Sequence, residues 1–221
     1  MSNFKVHKLD HIVFGALTLE EGTEFVESVL QAKLSDIGYH KNMGTHNRVI
    51  RISENVYLEV VSIDPQGRNL KNRKWFNLDN SNLQTKLKKT PQIIGYVIEN
   101  NDPNISKYYD PFFESSRDNY KWQFAMPTYK SNIIDSKIIN AGIIPSLISW
   151  KSKKPICKMN KNQFELISLE IGLSEKQQHF NTFFKAFGKI EYVSVSFIRE
   201  NNSSIFKLKL KDNLRKIVIS L

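Results

Sequence analysis

The sequence predicts an α+β fold assembled from repeated βαβββ modules. Three observations carry that expectation: short apolar runs with the period of half-buried strands, a helix-spaced segment after the first run, and recurrence of the same order further along the chain. With 221 residues there is enough chain to bury a full core, and 40% hydrophobic with 24% charged side chains is a folded, globular composition.

Leu9 to Ala16 reads as a short strand. Thr18 follows as an N-cap with Glu21 three residues on, a capping-box pair, and Leu19, Phe25, Val26, Val29 and Leu30 then fall at helical spacing. Strands are expected over Lys33 to His40, Thr45 to Ser53 and Asn55 to Ser62, the last two joined as a hairpin, and Asp64-Pro65-Gln66-Gly67 closes the module with turn chemistry. Across the polar stretch Arg68 to Thr90, only Lys74 to Leu78 suggests a short helix or turn. A second copy is read from a strand at Ile93 to Glu99, a helix-like Ile105 to Glu114, and strands at Tyr120 to Met126 and Ile143 to Trp150, with Ser131 to Asn140 poorly specified. A third copy comprises a strand at Phe164 to Ile171, a helix at Ser174 to Phe187, and strands near Glu191 to Ile198, Ile205 to Leu210 and Lys216 to Leu221. The divisions are therefore 1–66 for the first module, 67–160 for a linker and an irregular second, and 161–221 for the third, all in one compact unit.

The chain carries 32 basic and 22 acidic side chains, a formal charge of +10, but residues 1–110 account for only +1 of it and residues 111–221 for +9. Lys151, Lys153, Lys154, Lys158 and Lys161 belong to a solvated segment around Pro155, and Lys207, Lys209 and Lys211 alternate with Leu208 and Leu210 as the outer face of a strand does. Lysine far outnumbers arginine, whereas bidentate phosphate and base recognition favours arginine, so nucleic acid is not the expected partner. The lone Cys157 excludes an internal disulfide framework and has no base near it in sequence. No apolar run is long enough to span a bilayer and the opening residues lack a secretory pattern, so a cytoplasmic protein without membrane contact is expected.

Four of the five histidines, His7, His11, His40 and His46, fall in the first module. By alternation His11 shares a strand face with Leu9 and Val13, and Glu59 shares one with Tyr57 and Val61, while Ile12, Phe14, Leu58 and Val60 suit the face a helix covers. His11 and Glu59 are therefore expected together on the uncovered face. Imidazole and carboxylate are donors for zinc, nickel, manganese or iron, but two ligands are too few. His46 is the leading candidate for a third group, followed by Arg48 or Asn47, because both faces of that strand are mixed. A hydrogen-bonded polar pair inside the sheet accounts for His11 and Glu59 equally well. Arg73, Arg117 and Trp75 are candidates to line an anionic substrate pocket, and cation–aromatic packing is the plainer alternative. For His40, a solvated loop residue is as good a reading as a site residue.

Together, Leu9-Asp10-His11-Ile12-Val13, Gly38-Tyr39-His40, Gly44-Thr45-His46-Asn47, Tyr57-Leu58-Glu59, the run Arg73 to Asp79, Ser116-Arg117, Trp122 and the run Ile144 to Trp150 resemble the glyoxalase-like domain of the vicinal oxygen chelate superfamily. The resemblance spans most of the chain. It implies paired modules forming curved mixed sheets around a small-molecule cavity, with metal ligands on the first and last strands of a module, here His11 and Glu59. The candidate substrate-binding residues are Asn47, Arg48, Arg73, Trp75, Arg117 and Trp150. Two departures stand out: Ile93 to Ile98 has no histidine where a full metal site would often have one, and Lys154-Pro155 replaces a frequent His-Pro, making Lys154 a substitute anion contact.

The expected function is binding of a small oxygen-rich molecule, with metal-dependent lyase, isomerase or dioxygenase-type chemistry in which His11, Glu59 and His46 hold a divalent metal and His46 or a carboxylate is the base. The alternative is a non-catalytic protein that sequesters a small molecule or drug. Three modules cannot all pair within one chain, so a homodimer is expected from the odd count.

Overall fold

The computed structural model describes residues 6–67, 75–100, 109–127, 142–161, 163–173, 184, 187–197 and 206–221. The first module contributes β1 (Val6–His7), β2 (Leu9–Gly15), α1 (Leu19–Leu30), β3 (Gly38–His40), β4 (Thr45–Arg51) and β5 (Tyr57–Ile63). The capping box is present: Thr18 Oγ1 accepts from the Glu21 amide at 3.2 Å, and Glu21 accepts from the Thr18 amide at 3.3 Å. A short helix, α2 (Ser81–Leu87), arises in the stretch read as polar loop. Asn80 caps it by accepting from the amides of Asn82 and Leu83, and Leu83 and Leu87 bury its inner side.

The second module contributes β6 (Gln92–Glu99), β7 (Phe113–Arg117), β8 (Tyr120–Ala125) and β9 (Ser146–Trp150). Residues 105–108 of the expected helix lie outside the described residues, and its end at Phe113 and Glu114 is strand rather than helix. The burial there alternates, with Phe113, Ser115 and Arg117 turned inward and Glu114 and Ser116 exposed, which a strand satisfies and a helix does not. The segment 131–140 also lies outside the described residues.

These strands form one eight-stranded sheet in the order β3-β4-β5-β2-β6-β9-β8-β7. Each half repeats the same plan: the first strand pairs in parallel with the fourth, the fourth antiparallel with the third, and the third antiparallel with the second. The halves join through β2 and β6, which run antiparallel. The sheet curves until the two edge strands, β3 and β7, approach each other. What the curve encloses is a cavity with contributions from both modules.

The remaining strands are β10 (Phe164–Leu173), β11 (Lys189–Ile190), β12 (Val193–Phe197), β13 (Phe206–Asp212) and β14 (Ile217–Ser220). β11 pairs with β1, and the others form a four-stranded sheet ordered β12-β10-β13-β14. This is not the plan of the first two modules, because β10 pairs in parallel with the first strand that follows it in the sheet rather than with the last. Of the helix expected at 174–187, only Phe184 and Phe187 are described. Within β10 a bulge between Leu166 and Ser168 shifts the buried positions from Phe164 and Leu166 to Leu169, Ile171 and Leu173, leaving Ile167 44% exposed.

The four-stranded sheet and α1 share one apolar core with the outer face of the large sheet, where Ile12, Phe14, Leu58 and Val60 meet Leu169, Ile171, Leu208 and Leu210. The third segment thus covers a sheet face within its own chain. The ground for expecting a homodimer, an unpaired third module, falls away. Lys209 and Lys211 pair with Glu170 at 2.6 Å and Glu165 at 3.5 Å across β10 and β13, so that part of the basic excess is matched locally. Among the described residues, no helix is long and apolar enough to cross a membrane.

Candidate functional site

The inner face of the curved sheet carries a polar floor and aromatic walls. β2 supplies His11, β3 supplies His40, β4 supplies Asn47 and Val49, and β5 supplies Tyr57 and Glu59. Across the cavity, β7 to β9 add Arg117, Tyr120, Trp122, Phe124, Ile148 and Trp150, and Trp75 enters from the loop before α2. Phe76 and Asn77 both have left-handed backbones, with φ of 53° and 55°, and this tight turn seats the Trp75 ring 4.3 Å from His40 and 5.1 Å from Phe124.

A backbone irregularity builds the centre of the floor. Leu9 pairs with Ile98 and His11 with Val97, so β2 spends one extra residue against β6. The bulge breaks the alternation that would have put Leu9 beside His11. Leu9 instead joins the outer core with Ile12 and Phe14, while Asp10 and His11 meet, Oδ1 to Nδ1, at 2.7 Å. Trp150 donates its indole N–H to the other Asp10 oxygen at 2.8 Å. Lys154, expected as an anion contact, pairs with Glu99 and lies 3.9 Å from Asp10, so it supports the floor from behind.

From His11 the polar chain continues to Glu59, with Nε2 3.5 Å from Oε2. Asn47 donates to Glu59 Oε1 at 2.5 Å, and Arg117 donates to Asn47 Oδ1 at 2.7 Å. Burial by itself would lower the His11 pKa, but the carboxylates of Asp10 and Glu59 outweigh it and push it up to about 9. Burial would likewise raise Glu59, yet His11, His40 and Asn47 hold it down to about 2. His11 and Glu59 are consequently a buried ion pair at neutral pH. His40 goes the other way: burial, with Arg117, His11 and His46 contributing, lowers it to about 4 despite the attraction of Glu59, so its imidazole is neutral.

Of the residues expected in the site, His11, Glu59, Asn47, Trp75, Arg117 and Trp150 come together. His46 does not: its Nε2 meets Ser62 Oγ at 2.7 Å on the helix-facing side of β4, away from Asn47 and Glu59. Arg48 shares that side and donates to the Ser35 carbonyl at 2.7 Å. Arg73 lies outside the described residues. Of the two readings of His40, the site residue holds: it is buried there, with Nδ1 3.2 Å from Thr45 Oγ1 and Nε2 3.9 Å from Glu59 Oε1. Its sequence signal was the position two residues from Gly38 on a strand only three residues long, too short for alternation to be read.

The family model for the glyoxalase-like domain matches residues 9–186. The chain belongs to the glyoxalase-like domain family. Its two like-ordered half-sheets are the arrangement that the resemblance to the vicinal oxygen chelate superfamily implied. Among solved structures, this glyoxalase-like chain is similar to a hypothetical protein from Staphylococcus aureus, at 17% identity over 98% of both chains with a TM-score of 0.66. It also matches methylmalonyl-CoA epimerase of Streptomyces coelicolor, at 14% identity over 66% of this chain and 97% of that one with a TM-score of 0.42. A hypothetical protein from Bacillus halodurans matches at 11% identity over 71% and 99%, with a TM-score of 0.42. No curated protein matches the sequence.

The superfamily implies a divalent metal, and the donors of this pocket decide whether one fits. Among the described residues no group of three or more His, Cys, Asp or Glu side chains is arranged to hold a metal ion. His11 and His40 address different oxygens of Glu59, one of which already accepts from Asn47. The half of the pocket from the second module presents Arg117, Tyr120, Trp122, Phe124, Ile148 and Trp150, with no histidine, cysteine or carboxylate among them. The residues do not fit a divalent metal centre, and no step is assigned to one.

Proposed function

We propose that the protein binds a small, oxygen-rich molecule in the pocket around Glu59 and that this pocket is built for recognition rather than proton abstraction. The observation that supports this reading is the continuous chain Trp150, Asp10, His11, Glu59, Asn47, Arg117, in which successive polar groups are linked across both modules. Groups fixed in this way meet a ligand without losing further side-chain freedom, and preorganisation of this kind is what gives a small pocket useful affinity. A carboxylate held to about 2 is a weak base, and an imidazolium held to about 9 is a weak acid, whereas proton transfer at neutral pH is served by pKa values near 7. The pair therefore orients and polarises a bound oxygen.

The test is a thermal-shift screen of small hydroxy acids, oxo acids and aryl carboxylates, followed by mass spectrometry of the released compound. Saturable stabilisation that is lost in Glu59→Ala, with the compound recovered intact, supports binding. Stabilisation with the compound chemically altered would make the protein an enzyme, and stabilisation unaffected by Glu59→Ala would place the ligand elsewhere.

A further inference from the structure

Two donors in this pocket have nothing to donate to. Buried side-chain polar atoms in folded proteins are nearly always hydrogen-bonded, so each orphan calls for a physical account. Among the described residues the buried side-chain atoms without a partner are the indole nitrogens of Trp75 and Trp122 and the hydroxyl of Tyr109, and both tryptophans line the pocket over Glu59. Trp75 is 4% exposed and Trp122 5%, so solvent does not satisfy them from outside. Their rings stand edge-to-face with centroids 6.1 Å apart, and both flank the His40 ring. The third tryptophan of the pocket, Trp150, is the contrast, since its N–H is spent on Asp10 at 2.8 Å.

An indole N–H only donates, so its partner must be an acceptor. Neither indole is bonded to the groups around it: Glu59 is engaged by His11 and Asn47, and Phe124 and Ile148 carry no acceptor. A buried donor left without an acceptor costs the protein stability, and a ligand that supplies the acceptor recovers that cost on binding. The charge of the lining adds a preference. Arg117 reaches into the same pocket as a cation, while among the described residues Glu59 is the single carboxylate lining it and already carries its own partners.

Resting on the binding function proposed above, we infer that Trp75 and Trp122 form a paired-donor subsite for the carboxylate group of an aromatic or otherwise flat small molecule. The two indole N–H groups take the acceptor oxygens, Arg117 supplies the neighbouring positive charge, and the flat body lies among Tyr120, Trp122 and Trp150. A neutral molecule of the same shape leaves the donors less well satisfied and binds more weakly.

The experiment uses benzoate as the probe, with its neutral analogue benzyl alcohol, and follows the three indole N–H resonances of the full chain by two-dimensional NMR. Trp75→Phe and Trp122→Phe assign the resonances and serve as binding variants. The expected result is that the Trp75 and Trp122 signals move downfield together and saturably in the millimolar range, while the Trp150 signal, already hydrogen-bonded, stays. Each phenylalanine variant is expected to lose about tenfold in affinity for benzoate with a smaller change for benzyl alcohol, a selectivity that altered packing alone would not produce. The subsite is overturned if neither resonance responds to benzoate, or if both variants bind it as tightly as the unsubstituted protein. Failure of the broader binding reading is seen separately, as a pocket whose Glu59→Ala variant binds every compound in the screen unchanged.

Discussion

Arg117 on β7 donates to Asn47 on β4 at 2.7 Å, and in doing so passes directly over Gly38 on the intervening edge strand β3. A Cβ added at Gly38 would stand 2.0 Å from the guanidinium nitrogen and 2.5 Å from Asn47 Oδ1. The absence of a side chain at Gly38 is therefore what lets the two halves of the sheet connect across their edges. Gly38→Ala is expected to displace Arg117, break its bond to Asn47 and lower stability by about 1–2 kcal/mol. Urea denaturation of Gly38→Ala, Arg117→Ala and the double variant checks the route. Because the first acts through the second, the double variant is expected to lose clearly less than the sum, and strict additivity would show that the alanine harms something else.

The His11–Glu59 pair yields a second expectation. Glu59→Gln keeps the shape of the side chain but removes the charge, so His11 retains Asp10 and loses its other carboxylate. The His11 pKa is expected to fall from its value of about 9, and stability at pH 7 to drop by about 2 kcal/mol, below the full cost of breaking an isolated buried pair because Asp10 remains. Titration of the His11 ring by NMR together with denaturant unfolding measures both. An unchanged His11 titration in Glu59→Gln would mean that Asp10 alone sets it.

His40 gives the protein a distinct acid sensitivity. Its folded pKa is depressed to about 4 from an ordinary 6.5, so between those values the unfolded chain binds a proton that the folded chain refuses. Stability from this residue is full above pH 6.5 and is lost as pH falls towards 4, by up to about 3 kcal/mol. Glu59, also depressed, adds its loss lower, below the ordinary carboxylate range and down to about pH 2. His11 has the opposite sign, since a raised pKa contributes fully below 6.5 and its contribution fades as pH rises through about 9. His40→Gln should therefore flatten the loss between pH 6.5 and 4, in part only because His46 is lowered too, and leave the alkaline limb as it was. Unfolding midpoints across the pH range give the comparison, and a slope between pH 6.5 and 4 that is identical in the variant would remove His40 from the explanation.

How much of this was legible in the sequence depends on whether the signal is local. Thr18 and Glu21 mark the start of α1 because a capping box needs only four consecutive residues, and Ile12, Phe14, Leu58 and Val60 reveal the covered face because alternation persists over a whole strand. Asn47 and His46 were not distinguishable, since both faces of β4 mix polar and apolar residues, and only the position of Ser62 and Glu59 on β5 decides between them. Asp10 escaped notice because a bulge turns it to the floor, and a bulge arises from pairing between distant strands rather than from neighbouring residues. The same holds for β10, where the slip at Ile167 separates two registers that read as one strand. The side that His40 faces and the strand character of β7 are not legible, because three and five residues are too few for a period to be established.

The last expectation concerns metal. His11 Nδ1 is bound to Asp10 and its Nε2 faces Glu59 Oε2, while His40 Nε2 faces Oε1, so a cation at the carboxylate would have to displace the imidazolium proton of His11 and the Asn47 N–H together. Displacing both trades one internal ion pair for another and leaves Asn47 without its acceptor, a cost of about 1–3 kcal/mol before any ligand bond is counted. Zinc, nickel, manganese or iron(II) is therefore expected to produce no saturable rise in melting temperature of protein prepared without a histidine tag, and a chelator no fall. Elemental analysis after dialysis provides the independent count. A stoichiometric metal that is lost in both His11→Ala and Glu59→Ala would show that the ion pair gives way to a cation, and would return a Lewis acid to the pocket that the aromatic walls enclose.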